Sequence, residues 1–244
     1  MNHGRERTAL ITGGNRGIGE DISRRFLELG YTVVNVSRQQ PEFSHERLLS
    51  FTADLSDREA TKRVGTEIAG RFQVDTFIHN AGVIRPALLD EVRLEDLDYL
   101  TNLHLASAII LAQAVLPAMR ARHFGRIILI SSRGVLGLVT RTAYAATKAG
   151  QIGMVRTWAL ELAKDGITVN CIAPGPIETD MFHELIPADS PRKLKVADGI
   201  PVKRVGTPAD VGRVVSFLCE ADSDFITGQT WYVCGGASLG GLAL

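Results

Sequence analysis

A tyrosine and a lysine stand four residues apart at Tyr144 and Lys148. On a helix this spacing puts the phenol and the ammonium on one face. The pKa of a free tyrosine is about 10, and a neighbouring cation lowers it by favouring the phenolate. Such a pair can protonate a carbonyl oxygen during reduction and take the proton back in the reverse reaction. By itself, the pattern is also common on exposed helices that carry no chemistry.

Two serines could position a carbonyl group for that proton transfer. Ser131 and Ser132 follow the apolar residues 127–130 at the end of a predicted strand. In open α/β sheets, ligands bind at the carboxyl ends of the strands, and a hydroxyl there can hold the oxygen of a carbonyl. The serine pair therefore strengthens the prediction that Tyr144 is a general acid and base.

A glycine-rich segment near the N-terminus indicates a dinucleotide site. It follows the predicted strand Thr8–Thr12 and leads into a predicted helix. Small residues let the backbone approach a pyrophosphate, and a helix N-terminus offers free N–H donors. The spacing is GxxxGxG rather than GxGxxG, and the alternative is a tight connection between strand and helix. The predicted cofactor contacts in this segment are Gly13, Asn15, Arg16, Gly17, Ile18 and Gly19.

The end of the second predicted strand favours NADP over NAD. Folds that bind NAD usually carry an acid there, which bonds the ribose 2′-hydroxyl. Here the strand ends in Val36, Ser37 and Arg38, without an acid. Arg38 can direct two donors at a 2′-phosphate, and Arg16 lies on the same side. Either arginine alone could be an ordinary surface charge, but together they predict NADP(H).

The elements that would position these residues alternate between strand and helix. Such alternation implies right-handed crossovers and a parallel sheet that is covered on both faces. The segment from Pro174 to Pro208 interrupts the alternation and is predicted to be irregular, with a substrate loop at about 176–207. The predicted strands are 8–12, 32–36, 48–52, 76–79, 127–131, 168–172 and 230–233, and the predicted helices are 17–29, 57–71, 95–121, 142–164 and 208–220.

Two local patterns refine the helices. Ser56 and Glu59 have the spacing of a capping box at the start of the second predicted helix. In the third helix, apolar periodicity predicts one buried face, formed by Leu97, Leu100, His104, Leu111 and Val115.

Composition excludes several classes of protein. The 244 residues include 27 Lys or Arg and 27 Asp or Glu, so the net charge is zero, which argues against nucleic-acid binding. The three cysteines and six histidines show no metal-ligand spacing, so we expect no metal, no disulfide and a reducing, cytoplasmic location. The N-terminus lacks a signal-peptide pattern, and the apolar stretch 103–119 is short for a membrane span, which predicts a buried helix.

These motifs resemble the short-chain dehydrogenase/reductase family over nearly the whole chain and, within it, the 3-oxoacyl-[acyl-carrier-protein] reductases. The resemblance implies an α/β fold with one Rossmann domain over residues 1–244, and a seven-stranded parallel sheet with helices on both faces. It also implies a homotetramer that pairs the helices near 95–121 and 142–164. The matching residues are 12–19, Asn80-Ala81-Gly82, Asn102, Ser132, Tyr144, Lys148 and Pro174-Gly175.

The resemblance also implies a role for each site residue. Tyr144 would donate the proton, and Ser132 would position the carbonyl. Lys148 would bind the nicotinamide ribose and lower the tyrosine pKa, while Asn102 would hold a water in a proton relay. Asp54 would contact adenine. The other implied cofactor contacts are Ser37, Leu55, Asn80, Ala81, Gly82, Pro174 and Gly175, with Ile177 and Thr179 at the nicotinamide carboxamide.

Three residues depart from the family pattern. Ser132 lies twelve residues before Tyr144, whereas the family commonly has about thirteen. That difference leaves Ser131 as a rival, although side-chain alternation along a strand favours Ser132. His79 replaces a frequent Asn and is predicted to be a packed residue at a strand end. Cys234 replaces a frequent Asp and is predicted to be a small buried thiol.

The expected activity is NADPH-dependent reduction of a carbonyl, on a small molecule or an acyl thioester, with no nucleic acid or membrane as partner. One alternative is a reductase or dehydrogenase of a free small ketone or alcohol, and another is a non-catalytic NADP-binding sensor. Carrier-dependent members of the family often have Arg where this chain has His123 and Asp165, so we expect turnover without an acyl carrier protein. Arg120, Arg122 and Lys164 lie nearby and could compensate.

Overall fold

The sheet is the central feature of the computed structural model, which describes residues 6–239. Its strands are β1 (Thr8–Thr12), β2 (Thr32–Ser37), β3 (Leu48–Thr52), β4 (Thr76–His79), β5 (Gly125–Ile130), β6 (Ile167–Pro174) and β7 (Thr230–Val233). They lie in the order β3-β2-β1-β4-β5-β6-β7, and all neighbours are parallel. The chain runs outward from β1 to one edge and then returns to β4, so the strand order reverses between β1 and β4. This arrangement confirms the predicted Rossmann-type α/β fold, in which ligands bind at that reversal.

Except between β2 and β3, helices connect successive strands, as the long crossovers between parallel strands allow. A long helical stretch runs from residue 94 to residue 122 and contains a π-helical turn, Asn102–Ala106. The α-helices are α1 (Gly17–Glu28), α2 (Arg58–Arg71), α3 (Leu94–Thr101), α4 (Ser107–Arg122), α5 (Thr142–Leu162), α6 (Asp180–Leu185), α7 (Pro191–Asp198) and α8 (Pro208–Cys219).

The two faces of the sheet bury two separate apolar clusters. Side chains alternate along a strand, so Leu10 of β1 faces α2, α4 and α5, whereas Ile11 faces α1 and α8. In β5, Ile127 and Ile128 divide in the same way. Strands such as β1 and β5, which are covered on both sides, therefore carry apolar side chains on both faces, as the sequence indicated.

The start of α2 differs from the predicted capping box. Its N-cap is Asp57, whose carboxylate accepts from the backbone N–H groups of Glu59 and Ala60 at 2.8 and 3.1 Å. Ser56 instead donates its hydroxyl to Asp54 Oδ1 at 2.7 Å. A carboxylate at this position also interacts favourably with the helix dipole, which explains why Asp57 rather than Ser56 caps the helix.

The predicted substrate loop is more regular than expected. Between β6 and α8 the chain forms the short helices α6 and α7, so the prediction of an irregular segment was wrong. Thr179 caps α6 by accepting from Phe182 N–H, and Ser190 caps α7 ahead of Pro191. Proline is well tolerated in a first helical turn, so Pro191 starts α7 rather than preventing it.

The stretch Leu94–Arg122 is long and apolar enough to cross a membrane by length and composition alone. In this fold it covers the sheet: Leu100, Leu111 and Val115 are fully or almost fully buried. The stretch is therefore a core helix of the domain, as predicted. The sequence also predicts that the apolar tail 239–244 packs against another subunit, and all of that tail except Leu239 lies outside the described residues.

Candidate active site

A cavity of about 750 Å³ opens at the carboxyl ends of the strands. It runs from the turn after β1, past the ends of β2 and β4, to the ends of β5 and β6. Its volume is typical of small-molecule and cofactor sites. Of the predicted cofactor contacts, Gly19 does not line the wall; those that do are Gly13, Asn15, Arg16, Gly17, Ile18, Ser37, Arg38, Asp54, Leu55, Asn80, Ala81, Gly82, Tyr144, Lys148, Pro174, Gly175, Ile177 and Thr179.

The glycine segment leaves room for a phosphate group beside the backbone. Gly13 and Gly17 have positive φ angles of 66° and 55°, which disfavour side chains. A Cβ on Gly13 would lie 3.1 Å from both Asn80 and Ala81. Gly19 packs behind the turn, where a Cβ would collide with the Gly13 carbonyl. The residues therefore fit a bound pyrophosphate, with Gly19 acting through packing rather than contact.

The start of α1 offers free donors to that phosphate. Arg16 is its N-cap residue and makes no side-chain capping bond, so the first N–H groups of the helix are not capped by this residue. Asn80 fixes the turn from the other side, because its amide donates to the carbonyls of Thr12 and Gly13 at 3.2 and 3.1 Å. The Thr12 hydroxyl in turn accepts from the backbone N–H groups of Asn80 and Ala81, each at 3.0 Å.

The far end of the cavity carries two arginines and no acid at the end of β2. Arg38 is exposed and forms no salt bridge within residues 6–239, while Arg16 lies 3.8 Å from the exposed Asp180. Ser37 donates to Asn35 Oδ1 at 2.8 Å, which keeps Ser37 at the cavity wall. The donor set fits a 2′-phosphate better than a bare ribose.

The first two turns of α5 place Tyr144 and Lys148 on the cavity wall. Lys148 is buried, and its Nζ donates to the Ile130 carbonyl at 2.6 Å and lies 5.9 Å from the centre of the Tyr144 ring. Burial lowers the pKa of Lys148 to about 8. Burial also raises the pKa of Tyr144, against the opposing effects of Ser132 and Arg141. In the free protein the net effect is a raised pKa of Tyr144, and the expected lowering of that pKa by Lys148 stays a prediction.

The two serines have different partners. Ser132 lies next to the Tyr144 phenol and favours its ionised form, while its Oγ accepts from Gly134 N–H at 3.0 Å. Ser131 is buried and donates to the Lys148 carbonyl at 2.8 Å, which ties β5 to α5. Strand alternation separates the two hydroxyls, and the geometry favours Ser132 as the residue that holds a carbonyl oxygen.

Asn102 lies away from these residues. Its Oδ1 accepts from Arg58 Nε at 2.8 Å on the outer side of the helix, and Asn102 does not line the cavity. Residues two apart on a helix point to nearly opposite sides, and in this helix His104 rather than Asn102 is fully buried. The geometry therefore gives no support to Asn102 as a member of the catalytic set.

His104, two residues further on, occupies the position beside Tyr144 and Lys148. Its ring is fully buried and stands 5.7 Å from the Tyr144 ring, edge to face. Its Nδ1 lies 2.9 Å from the Thr147 hydroxyl, and its Nε2 accepts from Val83 N–H at 3.4 Å. Burial and the Lys148 charge lower the His104 pKa, so the ring is neutral. The sequence signal for His104 was its position as a polar residue on the predicted apolar face of the third helix.

The two other departures from the family pattern are packed residues, as expected. His79 is fully buried at the end of β4, with its Nδ1 3.1 Å from the Thr12 hydroxyl, and burial lowers its pKa to about 3. Cys234 is buried with its thiol 3.2 Å from the Ser238 hydroxyl and is not on the cavity wall. Within residues 6–239, no group of three His, Cys, Asp or Glu side chains could hold a metal ion.

Comparison with known proteins identifies the family. A family model described as enoyl-(acyl carrier protein) reductase matches residues 13–238. The 3-oxoacyl-[acyl-carrier-protein] reductase MabA of Mycobacterium tuberculosis is 38% identical over 236 residues, which cover 96% of this chain and 94% of MabA. The chain belongs to the short-chain dehydrogenase/reductase family.

Other members of this family are similar over the same span. BbsD of Thauera aromatica, a subunit of (2S)-[(R)-hydroxy(phenyl)methyl]succinyl-CoA dehydrogenase, is 38% identical over 96% of this chain and 97% of its own length. A structure from Beutenbergia cavernae, described as an NAD(P)-dependent gluconate 5-dehydrogenase with bound NADP, has a TM-score of 0.89 and 33% identity over 96% of this chain and 97% of that one. ElxO with bound NADP has a TM-score of 0.89 and 29% identity over 97% of this chain and all of that one.

Proposed function

We propose that this protein is an NADPH-dependent ketoreductase that transfers hydride between the nicotinamide and a carbonyl carbon, with Tyr144 as general acid and base. The observation that carries the proposal is the meeting of Tyr144, Ser132 and Lys148 at the carboxyl edge of the sheet, in the same cavity as the glycine segment. A non-catalytic NADP-binding sensor would have no need for a hydroxyl paired with the phenol at this edge.

The cofactor NADP(H) supplies the hydride when it is bound. The glycine segment and the start of α1 hold its pyrophosphate, and Arg38 and Arg16 hold the 2′-phosphate. Asp54 and Leu55 meet the adenine. Toward the reacting end, the bound group is held by Asn80, Ala81, Gly82, Lys148, Pro174, Gly175, Ile177 and Thr179.

The protein's own residues handle the proton. Ser132 holds the carbonyl oxygen, which becomes negative during reduction, and Tyr144 donates its proton to that oxygen. The raised pKa of Tyr144 keeps the phenol protonated in the free protein. Lys148 then faces a developing phenolate, whose charge an ammonium nearby stabilises.

The substrate is a small carbonyl compound, its alcohol, or an acyl thioester. Relatives described as 3-oxoacyl-[acyl-carrier-protein] reductases and as a substituted succinyl-CoA dehydrogenase support this range. We propose that no acyl carrier protein is required. Arg120, which could have offered positive charge to an acidic carrier, is engaged by Asp165 at 2.9 Å. A comparison of one 3-oxoacyl group on carrier protein and on a short thioester tests this point, and a preference for the carrier of about a hundredfold would contradict it.

The experiment that tests the function is NADPH oxidation with a panel of ketones and 3-oxoacyl thioesters. Tyr144→Phe should bind NADPH with unchanged affinity, measured by fluorescence titration, and lose ~10²–10⁴-fold in kcat. In the same assay Ser132→Ala should be severely impaired, while the matched variant Ser131→Ala should be only mildly affected. A loss below about tenfold in Tyr144→Phe, or no turnover by the wild-type protein on any carbonyl, would contradict the proposal.

We also propose a cytoplasmic homotetramer with one dinucleotide-binding domain and a substrate loop at about 176–207. The three cysteines are free and buried, which is consistent with a reducing compartment. Exposed apolar side chains on α5 and at the β7 edge, such as Leu160 and Trp231, support contacts between subunits.

A further inference from the structure

Arg141 is a buried cation on the cavity wall, three residues before Tyr144. It is the N-cap residue of α5, but its side chain makes no capping bond. Burial lowers its pKa, and the Tyr144 phenol opposes that effect. Because arginine keeps its proton in proteins, a positive charge is held close to the reacting phenol.

One guanidinium nitrogen of Arg141, Nη1, is hydrogen-bonded to the protein. Nη1 donates to the carbonyl and to the hydroxyl of Thr140, at 3.3 and 2.5 Å. Within residues 6–239, neither Nε nor Nη2 has a protein acceptor, and no carboxylate forms a salt bridge with Arg141. Neither nitrogen is sealed from solvent, since the fully buried unpaired polar atoms belong to other residues.

The backbone that carries Arg141 is fixed in place. Ala87 N–H donates to the Thr140 carbonyl at 3.1 Å, and Arg141 N–H donates to the Leu138 carbonyl at 3.2 Å. The Arg141 carbonyl accepts from Ala145 in the first turn of α5 at 2.7 Å. Together with the two bonds from Nη1 to Thr140, these contacts hold Arg141 at the start of the helix that carries Tyr144.

The described cavity wall offers no acid to neutralise this charge. Two acids line it: Asp54, which accepts from Ser56, and Asp180, which lies beside Arg16. Apart from the residues assigned to the cofactor, much of the wall is apolar, and the other cation there, Arg133, donates from Nη1 to the Ala237 carbonyl at 3.2 Å. The Nε and Nη2 edge of this guanidinium of Arg141 therefore meets no counter-charge on the described wall, so a ligand that brings a negative charge here would be favoured.

We propose that Arg141 binds the carboxylate of an oxo-acid substrate, while Ser132 and Tyr144 act on its carbonyl oxygen. The free Nε and Nη2 edge of a guanidinium matches the two oxygens of a carboxylate in a bidentate pair. Since Arg141 and Tyr144 lie within one helical turn, the carboxylate and the carbonyl of the substrate are separated by a few carbons. This inference rests on the proposed ketoreductase function and names the substrate class for it.

The test compares oxo acids of increasing chain length with their methyl esters, using the protein with NADPH. For each pair, the ratio of kcat/KM for acid and ester is measured in wild type, Arg141→Gln and Arg141→Lys. Loss of Arg141 also affects the Tyr144 pKa, but that effect is common to both substrates and cancels in the ratio. The matched control is Arg85→Gln, a half-exposed arginine paired with Asp96 near the cavity but not on its wall.

Wild type and Arg85→Gln should prefer at least one oxo acid over its ester by about tenfold or more, and Arg141→Gln should lose that preference. Arg141→Lys should be intermediate, because an ammonium keeps the charge but not the bidentate geometry. Equal rates for acid and ester in wild type, or an unchanged ratio in Arg141→Gln, would overturn the inference while leaving the ketoreductase function in place.

A binding measurement separates the two proposals. In the presence of NADP, a short saturated carboxylic acid should raise the melting temperature of wild type but not of Arg141→Gln, and the matching amide should raise neither. If no carbonyl is reduced and this pattern still appears, the ketoreductase function fails and the carboxylate site stands. If the acid and the amide act alike, the carboxylate site fails.

Discussion

Burial of the Lys148 ammonium destabilises the folded, cofactor-free protein, because the charged group loses contact with water. In the folded protein its pKa is about 8, whereas the ordinary value is 10.5. Below pH 8 both the folded and the unfolded chain hold the proton, so the full penalty applies. Between about pH 8 and 10.5 the unfolded chain binds a proton that the folded chain has released, so stability from this group rises with pH.

Lys148→Met should therefore raise the free energy of unfolding of the cofactor-free protein at pH 7, by up to about 3 kcal/mol. The gain should shrink as the pH rises from 8 to 10.5. Urea denaturation of both proteins at several pH values measures it, with the exposed Lys62→Met as control. A gain that does not change with pH would show that packing rather than charge is responsible.

His104 offers a second prediction at this scale. Its neutral ring connects Val83 N–H to the Thr147 hydroxyl beside Lys148, so it positions the loop after β4 and the first turns of α5. His104→Leu should lower kcat about tenfold, because two buried hydrogen bonds are lost, with little change in the affinity for NADPH. His104→Gln should restore most of the activity, since an amide can both accept and donate.

The pH–rate profile distinguishes this role from proton transfer by the imidazole. Because the His104 pKa is lowered well below neutrality, wild type and His104→Gln should have profiles of the same shape between pH 6 and 8. A limb near the ordinary histidine pKa, of about 6.5, that disappears in His104→Gln would contradict the assignment.

At the scale of the elements, the junction between β2 and the glycine segment determines which dinucleotide fits. β2 ends next to the phosphate-binding turn because β1 and β2 are neighbours in the sheet. Arg38 follows its last residue, Ser37, and is free to meet a ligand. The strand fixes where this side chain lies, and the type of residue at that place decides whether it binds a 2′-phosphate or a ribose hydroxyl.

Arg38→Asp should raise the KM for NADPH roughly ten- to a hundredfold and shift the preference toward NADH. Each hydrogen bond to a charged group contributes roughly 1.5–3 kcal/mol, partly replaced by water at an exposed site. Steady-state kinetics with both cofactors measures the change. Arg24→Asp, on an exposed arginine of α1 away from the cavity, is the matched control, and a wild-type protein that prefers NADH would refute the NADP assignment.

At the scale of the whole molecule, several large apolar side chains are exposed on the surface of the single chain. Leu160 on α5 is 85% exposed, and Phe217 and Trp231 pack edge to face at the β7 side with a large part of each ring exposed. Exposed apolar side chains of this kind are also found where proteins contact one another. The two locations are distant in the sequence and belong to different elements, as two separate subunit contacts would require.

Light scattering at micromolar concentration should therefore give a mass four times that of the 26.5-kDa chain. Leu160→Arg should weaken one contact and yield smaller species, because a charge is costly at an apolar interface. The exposed Arg63→Ala on α2 should leave the mass unchanged. A monomer mass for the wild-type protein would contradict the prediction.

The sequence by itself determined the sheet, the glycine turn and the Tyr144–Lys148 pair. These features depend on local periodicity, on the small size of glycine and on spacing within one helix, all of which can be read along the chain. For the same reason, β1 and β4 have the predicted bounds. Side-chain alternation along a strand also predicted different directions for Ser131 and Ser132, and in the structure the two hydroxyls have different partners.

Only the tertiary structure decided what lies around that pair. His104 rather than Asn102 lies beside Tyr144, Asp57 rather than Ser56 caps α2, and Lys148 donates to a carbonyl of β5. Each of these outcomes depends on contacts between segments that are far apart in the chain or on competition between neighbouring donors. Burial then shifts the pKa values of Tyr144 and Lys148 in directions that no local pattern contains, because desolvation is a property of the packed molecule.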